Sequence, residues 1–338
     1  MTSVRRAVAV LSLAALLAAC ASAEPRPPMG ATTTTTPQLT KDAFVANDGT
    51  HLPLQSWLPD GRIRAVVLAV HGMNDYSHAF SGSGEEWAKH GIATYAYDQR
   101  GFGAAPFPGS WAGTYLLDAD LAAVTRLLRA RYPGVPLYLL GESMGGAVVV
   151  TAEAGVAGAE RPRVDGIILV APAVWGKQTL NVFLRVTLWV ADNIVPHWTF
   201  TGESLKIRPT DNIEILRELS RDPLVIKETR VDTIAGLVDL MSEAFAAAPQ
   251  LQQRMLLLYG AHDQVIPPGP MGKFIAALPP VAPDTRVLAY YDQGYHMLLR
   301  DLDGQIVQRD VANWIFAPSA PLPSGADRRA AEALTPQS

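Results

Sequence analysis

Pro136-Leu137-Tyr138-Leu139-Leu140-Gly141-Glu142-Ser143-Met144-Gly145-Gly146-Ala147-Val148-Val149-Val150-Thr151-Ala152 is the stretch from which the rest of the chain is read. Residues 136–140 form a short apolar run bounded by proline, and residues 147–152 continue without a helix breaker, so strand, sharp turn and buried helix follow one another. Between them lies G-x-S-x-G with one more glycine behind it. A serine on a strained strand-to-helix turn has its hydroxyl pushed out of the sheet, and glycines two before and two after let neighbouring backbone pass without Cβ clashes. The helix start adds backbone N–H groups and a partial positive charge where an oxyanion would form. The pattern is therefore that of a nucleophile elbow.

Outward from this stretch, 338 residues with 49% apolar and 18% charged side chains suit one large α/β domain with a substantial core. Residues 1–19 have a basic start (Arg5, Arg6), a short apolar stretch and then Leu17-Ala18-Ala19-Cys20, which resembles the lipobox of bacterial lipoproteins. The expectation is a signal peptide over 1–19, lipidation of Cys20, and a location in the bacterial cell envelope. Ala21 after the cysteine points to the outer membrane, facing the periplasm. An ordinary secretory signal cut nearby, or an inner-membrane stub, is the alternative. Cys20 is the single cysteine, so no intramolecular disulfide can form. Loss of the leader's two arginines takes the net charge from −4 to −6, which disfavours nucleic acid as a partner. Residues 20–40, with Pro25, Pro27, Pro28 and the threonines from Thr32 to Thr36, read as an extended tether. Residues 317–338, rich in Pro, Ala and Ser without apolar periodicity, read as a disordered tail.

The folded domain is expected over 41–316. Two alternating runs around Asp48-Gly49 read as an opening hairpin, and residues 64–70, 92–97, 137–140 and 165–171 as strands buried on both faces. The intervening helices include Tyr115–Arg131, with Asp118 and Asp120 near its start and three arginines near its end. Strand and helix in alternation imply a mostly parallel sheet with helices on both faces. The rhythm breaks over about 173–251, which is largely helical and includes the apolar segment Thr179–Val195. Its position after a sheet strand makes it a candidate helical cap, with Phe183 and Trp189 as substrate-binding candidates; a buried core helix is the other reading. Residues 255–260 and 285–291 supply the last strands.

Two loops after those strands carry further chemistry. Asp263 follows one strand in Gly260-Ala261-His262-Asp263, and His296 follows the other in Gly294-Tyr295-His296-Met297. Ser143, Asp263 and His296 stand in the order nucleophile, acid, base, each just beyond a strand. A serine hydroxyl is a poor nucleophile until a histidine takes its proton, and a carboxylate fixes the imidazole tautomer and stabilises the imidazolium. His262 is a rival base and Asp292 a rival acid. His71-Gly72-Met73-Asn74, at the end of an early strand, can aim the Met73 N–H toward the serine, where the Met144 N–H would complete an oxyanion hole. With the seven histidines scattered and no glycine-rich dinucleotide fingerprint, neither a metal nor a cofactor is expected.

From about residue 40 to 316 the chain resembles the monoacylglycerol lipase and lysophospholipase branch of the α/β-hydrolases, also labelled serine aminopeptidase-like. The resemblance is carried by His71 to Asn74, Asp98-Gln99-Arg100-Gly101-Phe102-Gly103, Gly141 to Gly146, Gly260 to Pro267 and Gly294 to His296. The cap stretches Asp211 to Glu214 and Arg221 to Leu224 are similar to bacterial members. The resemblance implies an eight-stranded core, a helical cap that admits acyl chains, and ester hydrolysis through an acyl-enzyme at Ser143, with Asp263 and His296 as acid and base. Two departures stand out: Glu142 takes the place of the histidine common before the serine in mammalian relatives, and Ala104-Ala105 follows the Arg-Gly-x-Gly loop where a serine is frequent. The expected partner is a small-molecule ester or lipid. Aminopeptidase-type hydrolysis, for which Glu203, Asp211, Glu214 and Glu218 would hold an ammonium group, and a non-catalytic envelope or lipid-binding module are the alternatives.

Overall fold

A computed structural model describes residues 34–202, 207–282 and 285–333; the signal segment, Cys20 and Glu203 lie outside them. The strands are β1 (Gln38–Leu39), β2 (Ala43–Val45), β3 (His51–Trp57), β4 (Ala65–Val70), β5 (Ile92–Tyr97), β6 (Leu137–Glu142), β7 (Gly166–Val170), β8 (Thr199–Thr201), β9 (Glu228–Arg230), β10 (Met255–Gly260) and β11 (Arg286–Tyr291). Nine of them form one sheet in the order β1-β2-β3-β5-β4-β6-β7-β10-β11. The β5-β4-β6-β7-β10-β11 portion is parallel, and β1, β2 and β3 are antiparallel at one edge.

The sheet thus has nine strands where eight are expected. The extra one is β1, whose register Gln38↔Val45 extends the domain edge a few residues before Lys41. Thr35 helps to hold it: its N–H donates to Asn47 O at 2.6 Å and its hydroxyl to Ala46 O at 2.9 Å. Such edge pairing uses backbone groups and leaves no apolar pattern to read.

The helices are α1 (Ser81–Lys89), α2 (Thr114–Arg131), α3 (Met144–Ala154), α4 (Val182–Ile194), α5 (Ile213–Arg221), α6 (Val231–Ala247), α7 (Pro268–Ala277), α8 (Gly304–Phe316) and α9 (Ala326–Ala333). Strand periodicity divides the core in two. Val66, Leu68 and Val70 of β4 face one cluster with Leu121, Val148 and Leu240, while Ala65, Val67 and Ala69 face another with Trp87, Val311 and Trp314. Helix α3 is buried along its whole length, as a helix apolar on all sides should be.

Near the start of α2, Asp118 accepts a hydrogen bond from the Thr151 hydroxyl at 2.8 Å, and Asp120 pairs with Arg100 at 2.6 Å, both in the interior. One reading from sequence needs correction: the segment expected to be a disordered tail carries structure over residues 317–333. Leu322, Ala326 and Ala330 are buried, Arg329 Nε donates to Tyr290 O at 3.2 Å, and α9 packs along the edge strand β11. Alanines four apart carry little hydropathy, but their small size lets a helix lie close against a sheet edge that would otherwise offer unpaired backbone groups.

Candidate active site

Ser143 has φ 53 and ψ −117, one of four non-glycine residues at positive φ among those described. For a side chain with a Cβ this backbone is strained, and the surroundings must enforce it. They do so from both sides: Ser143 N–H donates to Val170 O of β7 at 3.0 Å, and Ser143 O accepts from Ala147 and Ala173 at 3.2 and 2.9 Å. The turn also needs Gly145, where a Cβ would stand 2.0 Å from Val70 O. Gly72 is packed less tightly but still in contact, since a Cβ there would lie 3.3 Å from the Ser143 Cβ. The loop after β4 therefore lies directly against the serine.

His71 fixes the direction of that loop. Its buried ring accepts the Gln99 N–H at Nε2 (3.0 Å), which places the proton on Nδ1 for donation to Gly72 O at 2.8 Å. Burial lowers the His71 pKa and keeps the imidazole neutral, consistent with that tautomer. In a trans peptide C=O and N–H point in opposite directions, so fixing Gly72 O also fixes the Met73 N–H. Neither the Met73 nor the Met144 N–H donates to another group among the described residues.

At the other loops, His296 Nδ1 is 2.9 Å from Asp263 Oδ2, and both side chains are buried. The second Asp263 oxygen accepts the Val265 and Ile266 N–H groups at 2.8 and 2.9 Å, which aims the carboxylate. The two loops are joined by the His262 N–H donating to Gly294 O at 2.8 Å. The rivals are placed elsewhere: His262 is exposed against the Tyr295 ring, and Asp292 pairs with Arg329 at 3.3 Å. Asp263 and His296 follow β10 and β11, and Ser143 follows β6, all at the carboxyl edge of the parallel sheet. The Ser143 hydroxyl and His296 Nε2 are not engaged by other described residues, which leaves both open toward a reactant.

Sequence reading missed one cation here. Arg300 bridges Asp75 Oδ2 at 2.7 Å and Glu142 Oε1 at 2.9 Å. A carboxylate at a buried strand end requires a positive partner, so Glu142 in place of histidine was the available signal. The Asp98 loop is scaffold: Asp98 accepts the Ser77 and Ala104 N–H groups at 3.0 and 2.9 Å, and Arg100 is bound by Asp48 and Asp120.

The cap covers this edge with α4, α5, α6 and the small β8-β9 ribbon. Phe183 and Trp189 are not gathered at Ser143; they stand 77% and 67% exposed on α4. Trp189 lines a cavity of about 410 Å³ between α4 and α6, with Leu180, Val186 and Val238, and Phe183 does not. The cap returns to the catalytic edge by polar contacts. Asn74 O accepts the Ile226 N–H at 3.0 Å, the Asn74 amide donates to Thr229 at 2.6 Å, and the Tyr76 hydroxyl donates to Asp222 at 2.7 Å. On the other side, Met297 N–H donates to Pro209 O, Leu302 N–H to Asp211 and the Asn212 amide to Arg300 O, at 2.9, 2.9 and 3.1 Å.

A parallel sheet with a strained serine elbow and a buried acid–histidine pair at its carboxyl edge defines an α/β-hydrolase. The sequence pattern of the family described as "Serine aminopeptidase, S33" matches residues 61–303, and the chain belongs to that family of serine hydrolases. Relatives include a monoglyceride lipase of Homo sapiens, 24% identical over 81% of this chain and 86% of its own length. A monoacylglycerol lipase of Mycolicibacterium smegmatis is 23% identical over 81% of this chain and 96% of its own. Among solved structures, a soluble variant of monoglyceride lipase from Saccharomyces cerevisiae in complex with a substrate analog superposes with a TM-score of 0.69 at 20% identity, covering 88% of this chain and 99% of that one.

Proposed function

We propose that the protein hydrolyses carboxylic esters of amphiphilic alcohols, monoacylglycerols first among them, through an acyl-enzyme on Ser143. The observation that carries this reading is the Asp263–His296 hydrogen bond of 2.9 Å beside a serine held at φ 53. His296 takes the hydroxyl proton at Nε2 as Ser143 Oγ attacks the ester carbonyl; Asp263 stabilises the imidazolium. The Met73 and Met144 N–H groups receive the oxyanion. Proton return to the alcohol releases it, and water then repeats the sequence to free the acid.

The substrate class draws support from the cap and from the relatives' names. Val182, Phe183, Val186, Trp189 and Ile194 of α4, with Trp198 and Phe200 beyond it, expose apolar and aromatic surface suited to a lipid face. Lipidation of Cys20 in the cell envelope, with the enzyme tethered at the outer membrane, suits the same substrate. Peptide hydrolysis has less support: Asp211 is taken by the Leu302 N–H and Glu214 by Arg217.

The test is labelling by a fluorophosphonate probe, with turnover of p-nitrophenyl esters of increasing chain length and of monoacylglycerol, beside Ser143→Ala. Labelling and at least about a thousand-fold of the turnover should disappear in the variant. A folded wild type that neither labels nor turns over any ester refutes the assignment.

A further inference from the structure

Arg300 lies four positions after His296, and its guanidinium joins two loops other than its own. Nη1 stands 2.7 Å from Asp75 Oδ2, two residues past Met73, and Nη2 donates to Glu142 Oε1 at 2.9 Å, immediately before Ser143. The side chains of Arg300, Asp75 and Glu142 are 11%, 9% and 3% exposed. Each member is also held within its own loop: Tyr76 N–H donates to Asp75 Oδ1 at 2.9 Å, Glu142 is paired with Val170 in the sheet, and Arg300 N–H donates to Met297 O at 2.8 Å.

We infer that Arg300 is a positioning residue that fixes the oxyanion loop, the nucleophile elbow and the histidine loop relative to one another. The inference rests on the roles proposed above for Ser143, His296, Met73 and Met144. Nη2 holds Glu142 by a directional hydrogen bond and Nη1 holds Asp75 by an ion pair at 2.7 Å, so one planar group ties both carboxylates. Away from water, displacement of either loop strips a carboxylate of its partner, which is strongly opposed. Arg300 also neutralises two carboxylates that lie within two residues of Met73 and of Ser143 in the chain. Without it, two uncompensated anions would stand in the loops that carry the proposed oxyanion donors and nucleophile, opposing a transition state that gains negative charge.

The experiment compares Arg300→Met, Arg300→Lys, Glu142→Gln and the double variant Glu142→Gln/Arg300→Met with the wild type. kcat is expressed per fluorophosphonate-titrated serine and KM is measured beside it, the second-order rate of probe inactivation is measured in parallel, and thermal unfolding reports the fold. Arg300→Met should lower kcat and the inactivation rate together by about 100-fold with KM within about 2-fold, the pattern of misplaced groups rather than weakened binding. Arg300→Lys, which keeps the charge but loses the fork, should lose about 10-fold. The double variant should lose no more than Arg300→Met alone, because its members act as a unit. If Arg300→Met does not fold, Arg300→Lys and Glu142→Gln decide. Undiminished kcat in Arg300→Lys, or losses that vanish per titrated serine, overturn the inference while leaving the serine assignment intact. A wild type that does not label overturns both.

Discussion

Helix α4 and the stretch from 207 to 230 belong to the same insertion between β7 and β10, yet they meet the rest of the molecule by different means. No residue of α4 is buried, and its surface is largely apolar. The later stretch exposes half of its side chains, but Asn212, Asp222, Ile226 and Thr229 are bonded to the loops that flank Ser143 and His296. An apolar face without a partner among the described residues favours something apolar outside the molecule; directional bonds to the loops beside Ser143 and His296 favour a fixed geometry. The cap therefore combines a contact surface with a brace.

The largest effect is expected where the brace touches the oxyanion loop. Asn74 sits at φ 65 and bonds the cap through its side chain and its backbone. Asn74→Ala removes the Thr229 contact and adds strain at that φ, and should lower kcat about 100-fold on every ester, with KM little changed. Steady-state kinetics on a soluble and a micellar ester check this; a loss confined to the micellar one would make brace and contact surface indistinguishable. A smaller and selective effect is expected from α4. Phe183→Ser with Trp189→Ser should reduce turnover of micellar monoacylglycerol about 10-fold while a soluble acetate ester is hydrolysed at the wild-type rate. Equal losses on both substrates would remove the contrast.

The smallest effect concerns the root of the cap, where α6 meets α2 and α3. Burial pushes the Asp118 carboxyl up to about 8, with repulsion from Glu243 adding to it against the Thr151 hydrogen bond. The unfolded chain gives up this proton near the ordinary value of 3.8, whereas the folded protein keeps it to about 8. The folded state thus binds the extra proton between those values, and the stability it provides is lost as pH rises through that window. Asp118→Asn keeps an acceptor for Thr151 and cannot ionise. Its melting temperature relative to wild type should climb between pH 5 and pH 8.5, reaching a gain of about 3 °C or more. A constant difference across pH would show that Asp118 is not the group responsible.

The elbow, the sheet direction and the order of Ser143, Asp263 and His296 were legible because each depends on residue type at a strand end. The cap was legible as an insertion, and α4 proved to be surface rather than core. Its brace was not legible, since bonds such as Ile226 N–H to Asn74 O use backbone that any residue supplies. Helix α9 escaped for a related reason: Ala326 and Ala330 pack by being small, which hydropathy does not register. Arg300 looked like any charged residue near a helix start until Glu142 was seen to need it.

Asp263, His296 and Arg300 all come from the last quarter of the chain, and Ser143 from its middle. A partly folded chain with β4, β5 and β6 in place around the serine still lacks His296 and Arg300. On the proposed mechanism, hydrolysis waits until the carboxyl-terminal strands have docked. The first turnover of each molecule marks the completion of its own folding.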